Sequence, residues 1–159
     1  MTKIPLLGVV VRRFAEWYGE NEHGAYVLSE EEALETVDES SSIAVGKCAC
    51  RETFDNCDNP LETDLVIGIG FDVFTEISPD EYREIEVEEA KQIIRECSDA
   101  GLIQTVMECK EDLYAICNCC PCCCVPLRLY KDYEIETAWK KKPDGLIKRI
   151  SDVEGPILS

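Results

Sequence analysis

The chain has 159 residues, enough for one core, and its 45% apolar and 31% charged residues are the balance of a folded chain, not a disordered one. A net charge of −17, from 33 acidic and 16 basic residues, opposes contact with phosphate backbones and suits docking on a basic patch of a partner protein, or else serves solubility or a salt-adapted host; neither nucleic acid nor membrane is expected as a partner. The apolar stretch "IPLLGVVV" is too short to span a bilayer and no secretory leader is evident, so the expected setting is a reducing cytoplasm.

In chain order, "ENEHGAY" reads as a solvated loop holding the one histidine, His23. "VLSEEEALETVDE" predicts an amphipathic helix from about Glu30 to Glu39. Ser29 is its N-cap, Glu32 completes a capping box, and Leu28 and Ala33 form a hydrophobic staple. "SIAVGKCAC" predicts a short strand leading the first cysteines onto a loop. The turn-rich "RETFDNCDNPLETD" continues that loop. "LVIGIGFDVFTEI" reads as a strand or a short irregular segment, and "SPDE" as a capping box starting one turn of helix. "VEEAKQIIRECSDAG" is the clearest helix: Val87, Ala90, Ile94 and Cys97 share a face, and Gly101 is its C′ residue. "LIQTVMEC" and "DLYAI" predict a hairpin that runs into a cysteine cluster. "VPLRLYKDYEIETAWKK" predicts a short helix and an amphipathic tail, and "DGLIKRI" a last strand. The local basic stretch "WKKKPDGLIKR" reads as a solvated tail. The expected fold is α+β: one small domain of short strands and three or four helices with cysteine-rich loops. Residues 1–27 would be an extension, 28–130 the core and 131–159 a tail.

Eleven cysteines dominate the chemistry: Cys48, Cys50, Cys57, Cys97, Cys109, Cys117, Cys119, Cys120, Cys122, Cys123 and Cys124. Six of them fill the eight positions of "CNCCPCCC". The count is odd, and neighbouring cysteines bridge one another poorly, so disulfides do not explain the pattern. One zinc ion uses four ligands, usually as paired C-x₂-C elements, and would leave several thiols over; zinc stays the minority alternative. A metallothionein-like sponge lacks the core that this chain has. Iron–sulfur chemistry fits best, because it needs converging thiolates with main-chain N–H groups around them. Within the run, 117/120, 119/122 and 120/123 have C-x₂-C spacing. The groups 48/50/57 and 117–124 allow two clusters, or one held from both sides. Cys97 and Cys109 belong to the predicted helix and hairpin and read as core or incidental thiols.

"SIAVGKCACR", "CDNPLETDL", "EEAKQIIRECSDAGLIQTV" and "AICNCCPCCCVPLR" together resemble a family of ferredoxin-like iron–sulfur proteins of mostly anaerobic prokaryotes, over roughly residues 28–130. The resemblance implies iron–sulfur binding, one or two [4Fe–4S] clusters, and electron transfer. It places Cys48, Cys50 and Cys57 in a first ligand group and Asp64 where the family has a fourth cysteine. Asp64 is thus a candidate iron ligand, or else a loop or cap residue. Many relatives continue into a C-x₂-C-x₂-C-x₃-C-P module; these 159 residues contain none, so electrons are expected to pass to a partner. Arg51 and Arg128 each follow a cysteine element and are candidates for a positive charge beside a cluster, or for ordinary surface ion pairs.

The expected function is an iron–sulfur electron carrier or small redox subunit, rather than a stand-alone catalyst. The alternatives are an iron–sulfur enzyme subunit with an open or Asp64-ligated iron, and a zinc or redox-sensing regulator whose Val87–Ile116 helix and hairpin imitate part of a winged helix. No phosphate-binding glycine loop and no Ser–His–Asp arrangement is present.

Overall fold

The computed structural model describes residues 9–14, 16–17, 23–109 and 112–134. The basic stretch at 139–149 and the predicted last strand lie outside them. Residues 9–14 and 16–17 are helical. The other elements, in chain order, are β1 (His23–Val27), α1 (Glu30–Asp38), β2 (Ile43–Lys47), α2 (Ala49–Phe54), β3 (Glu62–Ile67), α3 (Ile69–Ile77), β4 (Arg83–Glu84), α4 (Val87–Asp99), β5 (Ile103–Cys109), β6 (Asp112–Cys119) and α5 (Val125–Tyr133). The fold is α+β, with more helices than the sequence suggests. Its six strands form one sheet in the order β1-β5-β6-β3-β2-β4, and every neighbouring pair is antiparallel.

The period of two along each strand sends alternate side chains to opposite faces. On one face Ile43, Val45, Leu65, Ile67, Val106 and Ile116 meet Ala33 and Val37 of α1 and Ala90 and Ile94 of α4. On the other, Ala44, Val66, Met107 and Ala115 pack with Phe71 and Phe74 of α3. The caps predicted for α1 and α4 are present. Ser29 Oγ accepts from Glu32 N at 3.2 Å and Glu32 Oε2 accepts from Ser29 N at 2.8 Å. Gly101 follows α4 at φ 76°, a left-handed value that glycine adopts without a Cβ clash.

Four local readings are corrected. His23 opens β1 and pairs with Cys109, so it is not in a loop. Cys48 is the N-cap of α2 and Cys50 lies within it; the turn-forming residues that suggested a loop act one step later, where Asp55 ends the helix at φ 46°. "LVIGIGFDVFTEI" is the end of β3 followed by α3. Gly68, at φ 50° and ψ −127°, makes the break, and an apolar run of that length does not by itself tell strand from helix. "SPDE" forms a hydrogen-bonded turn, with Glu81 N and Tyr82 N donating to Ser78 O, and no helix grows from it. The β5–β6 hairpin is central, flanked by β1 and β3, and so offers no free wing.

The pairing of β5 with β6 shifts register between Met107 and Glu108: Met107 faces Ala115 and Glu108 faces Leu113, with Tyr114 as the inserted residue. At that bulge α3 lies directly on the strand, and a Cβ on Gly70 would overlap the Tyr114 carbonyl. Gly70→Ala is therefore expected to cost about 1–3 kcal/mol by overpacking, seen as a lower denaturation midpoint at unchanged slope.

Candidate metal centre

The cysteines gather at one end of the sheet, where β6 runs out into a turn and α2 approaches it. The connection from β2 to β3 carries Cys48, Cys50 and Cys57. Cys48 N donates to Leu61 O at 2.8 Å and closes this segment onto itself. From β6, Cys117 and Cys119 project to one face and Asn118 to the other. After Cys119 the strand stops: Cys124 N donates to Cys120 O at 3.0 Å, and Pro121 sits inside the resulting turn. Pro126 lies in the first turn of α5, where a missing N–H costs nothing.

Two groups of thiols result, and neither matches the grouping read from spacing. Cys57 leaves Cys48 and Cys50 and joins Cys120, Cys122 and Cys123, whose sulfurs all lie within 4.8 Å of one another. The separations are 3.7 Å for Cys57–Cys120, 3.8 Å for Cys57–Cys123 and 3.9 Å for Cys122–Cys123. These four residues could hold a metal. Cys48, Cys50, Cys117, Cys119 and Cys124 instead line, with Asp64, a cavity of about 100 Å³ on the other side of Cys120. Cys97 is buried behind Cys120 and Cys123 and packs with Leu102, and Cys109 stands at the far end of β5.

Asp64 is in β3, opposite Cys117, and is neither a loop nor a cap residue. Its Oδ1 accepts from Cys117 Sγ at 3.3 Å and its Oδ2 from Tyr82 Oη at 2.9 Å. Burial pushes its carboxyl up, against these two hydrogen bonds, which favour the charged form. Burial and the neighbouring carboxylate push the Tyr82 phenol up as well.

Arg51 is the most informative charge. It is only 2% exposed, so it is not a surface ion pair. Its Nη1 donates to the Pro60 carbonyl and, at 3.1 Å, to Thr63 Oγ1; its Nη2 donates to Asn118 O at 2.6 Å. Its Nε is buried and, among the described residues, lacks a hydrogen-bond partner, and no carboxylate pairs with the guanidinium. Its field falls on Cys48, Cys57 and Cys120. Burial raises the Cys120 thiol, but Arg51, the neighbouring thiols and the Cys123 N–H outweigh it and pull it down to about 6. The Asn59 main-chain N–H pulls the Cys57 thiol down against burial. The thiolate is the metal-binding form, so these two members of the four-thiol group are prepared for a cation. Arg128 is different: half exposed, it lies 4.7 Å above the Phe54 ring, with Asp132 3.8 Å from its Nε.

Sequence reading missed Asn118, Thr63 and Gln104. Asn118 Nδ2 donates to Thr63 O at 2.9 Å, and Gln104 Nε2 donates to Asn118 Oδ1 at 3.2 Å. This buried network ties the strand under the cysteines to Arg51. The available signal was Asn118 itself, a polar residue out of phase with the thiols on either side.

Among the described residues no helix is long and apolar enough to cross a membrane. Comparison with family models, curated proteins and solved structures gave no match for this chain.

Proposed function

We propose that this chain is an iron–sulfur electron-transfer protein, alone or as the small redox subunit of a larger complex, as its resemblance to the ferredoxin-like proteins implies. The observation that carries the reading is the buried, carboxylate-free charge of Arg51 acting on Cys48, Cys57 and Cys120, in a corner that gathers nine of the eleven cysteines. A buried cation without an anion is costly, and thiolates around an iron–sulfur group supply that anion. Nine thiols also exceed what one zinc ion uses. Main-chain N–H groups already point at sulfur: Arg51 to Cys48, Val125 to Cys50, Asn59 to Cys57 and Asn56 to Cys123. Such contacts support thiolate charge and tune a bound cluster.

When bound, an iron–sulfur group supplies one-electron transfer. The residues of this chain hold it, offset its charge through Arg51, and limit access of water through Cys97, Leu102 and Met107. The net charge of −17 suits docking on a basic redox partner, which takes up or delivers the electron.

A second reading, a structural metal protein, is favoured by one observation. Four sulfurs about 2.3 Å from one ion stand about 3.8 Å apart in a regular tetrahedron; three of the six separations among Cys57, Cys120, Cys122 and Cys123 are 3.7 to 3.9 Å, and all lie within 4.8 Å. Iron, zinc and acid-labile sulfide per chain, measured on protein purified without oxygen, separate the two. Several irons with comparable sulfide are expected. Zinc without sulfide would leave the structural reading and sink electron transfer.

A further inference from the structure

The two thiol groups differ in size as well as in membership. In the first, all four sulfurs lie within 4.8 Å and three of their separations are those of one tetrahedral ion. In a cluster each thiolate binds a different iron, so the sulfurs stand farther apart than they do on a single ion. Cys57, Cys120, Cys122 and Cys123 are too close together for that arrangement. The second group surrounds open space. One water needs about 10–15 Å³ in a cavity measured this way, and this cavity measures about 100 Å³.

Resting on the iron–sulfur reading, we infer that the cysteine corner is two centres: a polynuclear iron–sulfur group in the cavity, with its thiolates drawn from Cys48, Cys50, Cys117, Cys119 and Cys124, and a single tetrahedral thiophilic ion on Cys57, Cys120, Cys122 and Cys123.

Three elements supply the cavity centre independently. Cys48 and Cys50 come from the first turn of α2, Cys117 and Cys119 from β6, and Cys124 from the N-cap of α5. The first turn of α5 also faces the cavity thiols, because the Val125 N–H donates to Cys50 and the Leu127 N–H to Cys124. Main-chain N–H groups of a helix N-terminus have no partner within the helix and favour negative charge. Asp64 stands at the edge through Cys117, a carboxylate donor available beside five thiols. Cys120 belongs to the single-ion group and also borders the cavity, so it forms the wall between the centres.

The test is metal and sulfide stoichiometry on the anaerobically purified full-length chain and two variants. Cys122→Ser removes a thiol that belongs to the small group alone and Cys50→Ser one that lines the cavity and is no member of the small group; both side chains are half-buried, and serine preserves their shape. In the wild type, metal should exceed sulfide by one per chain, about five to four for a [4Fe–4S] group. Cys122→Ser should lose one metal with no sulfide and keep the visible absorption. Cys50→Ser should lose sulfide and absorption together and keep one ion. Cys57→Ser repeats the Cys122 result from the opposite wall. Parallel loss of sulfide in both variants would mean one shared centre and overturn the division while leaving the iron–sulfur reading intact. Absence of sulfide from the wild type would overturn both.

Discussion

Arg51→Ala is expected to destabilise the protein by about 3–5 kcal/mol, the order expected for losing two buried hydrogen bonds made by a charged donor. The side chain connects three pieces of chain: α2, the segment ending at Pro60, and the strand pair β3–β6 through Thr63 and Asn118. Alanine leaves the Pro60 and Asn118 carbonyls buried without their donor, and each such loss costs about 1–3 kcal/mol. It also removes the positive charge that holds Cys120 as a thiolate. Two variants separate these contributions. Arg51→Met keeps most of the stem and loses both donors and charge. Arg51→Lys keeps the charge but cannot present a planar fork to separate acceptors. Both should fall well below wild type in urea, with lysine retaining more metal than methionine. A loss under about 1 kcal/mol for Arg51→Ala would mean that the segments are held by other contacts.

The second large effect is expected on metal removal. The body of the sheet has a hydrocarbon core, with Ile43, Leu65, Ile67, Ile94 and Ile116 fully buried between the strands and α1 and α4. The cysteine corner has almost none: its buried cluster is Cys97, Leu102, Cys120 and Cys123. Thiolate–metal binding contributes on the order of 10 kcal/mol in small structural sites, and that free energy is folding free energy. Anaerobic chelation is therefore expected to release α2, residues 55–61 and the turn at 120–124 to fast hydrogen exchange. β5 and β6 should stay protected as far as Ile116. Cys120→Ser should reproduce much of this without a chelator, because that residue touches both thiol groups. Uniform loss of protection through β5 and β6 would show that sheet and corner form one cooperative unit.

Much of the scaffold was legible because its signals are local. Ser29 and Glu32 announce one helix, the spacing of Ala90, Ile94 and Cys97 announces another, and Gly101 ends it. The cysteine site was legible only as an inventory. Spacing along the chain put Cys57 with Cys48 and Cys50, but the left-handed Asp55 turns the chain after α2 and carries Cys57 to the opposite side of Cys120. Spacing also treated 117–124 as one unit. The run is half strand and half turn, so Cys117 and Cys119 follow a period of two while Cys120, Cys122 and Cys123 follow a tight reversal. Arg51 could be read as buried only after β3 and β6 were known to be neighbours, a long-range fact that no local pattern records.

The bulge at Tyr114 has a consequence for how this chain can vary over generations. Downstream of it, Cys117 and Cys119 of β6 give thiols to the cavity and Asn118 between them turns its side-chain amide to Thr63 and Gln104. Losing or gaining one codon between Tyr114 and Cys117 would exchange those roles, turning an amide toward the cavity and sulfur toward Thr63 and Gln104. A two-codon change would restore the phase, so descendants of this sequence should tolerate length changes there in pairs and reject single ones.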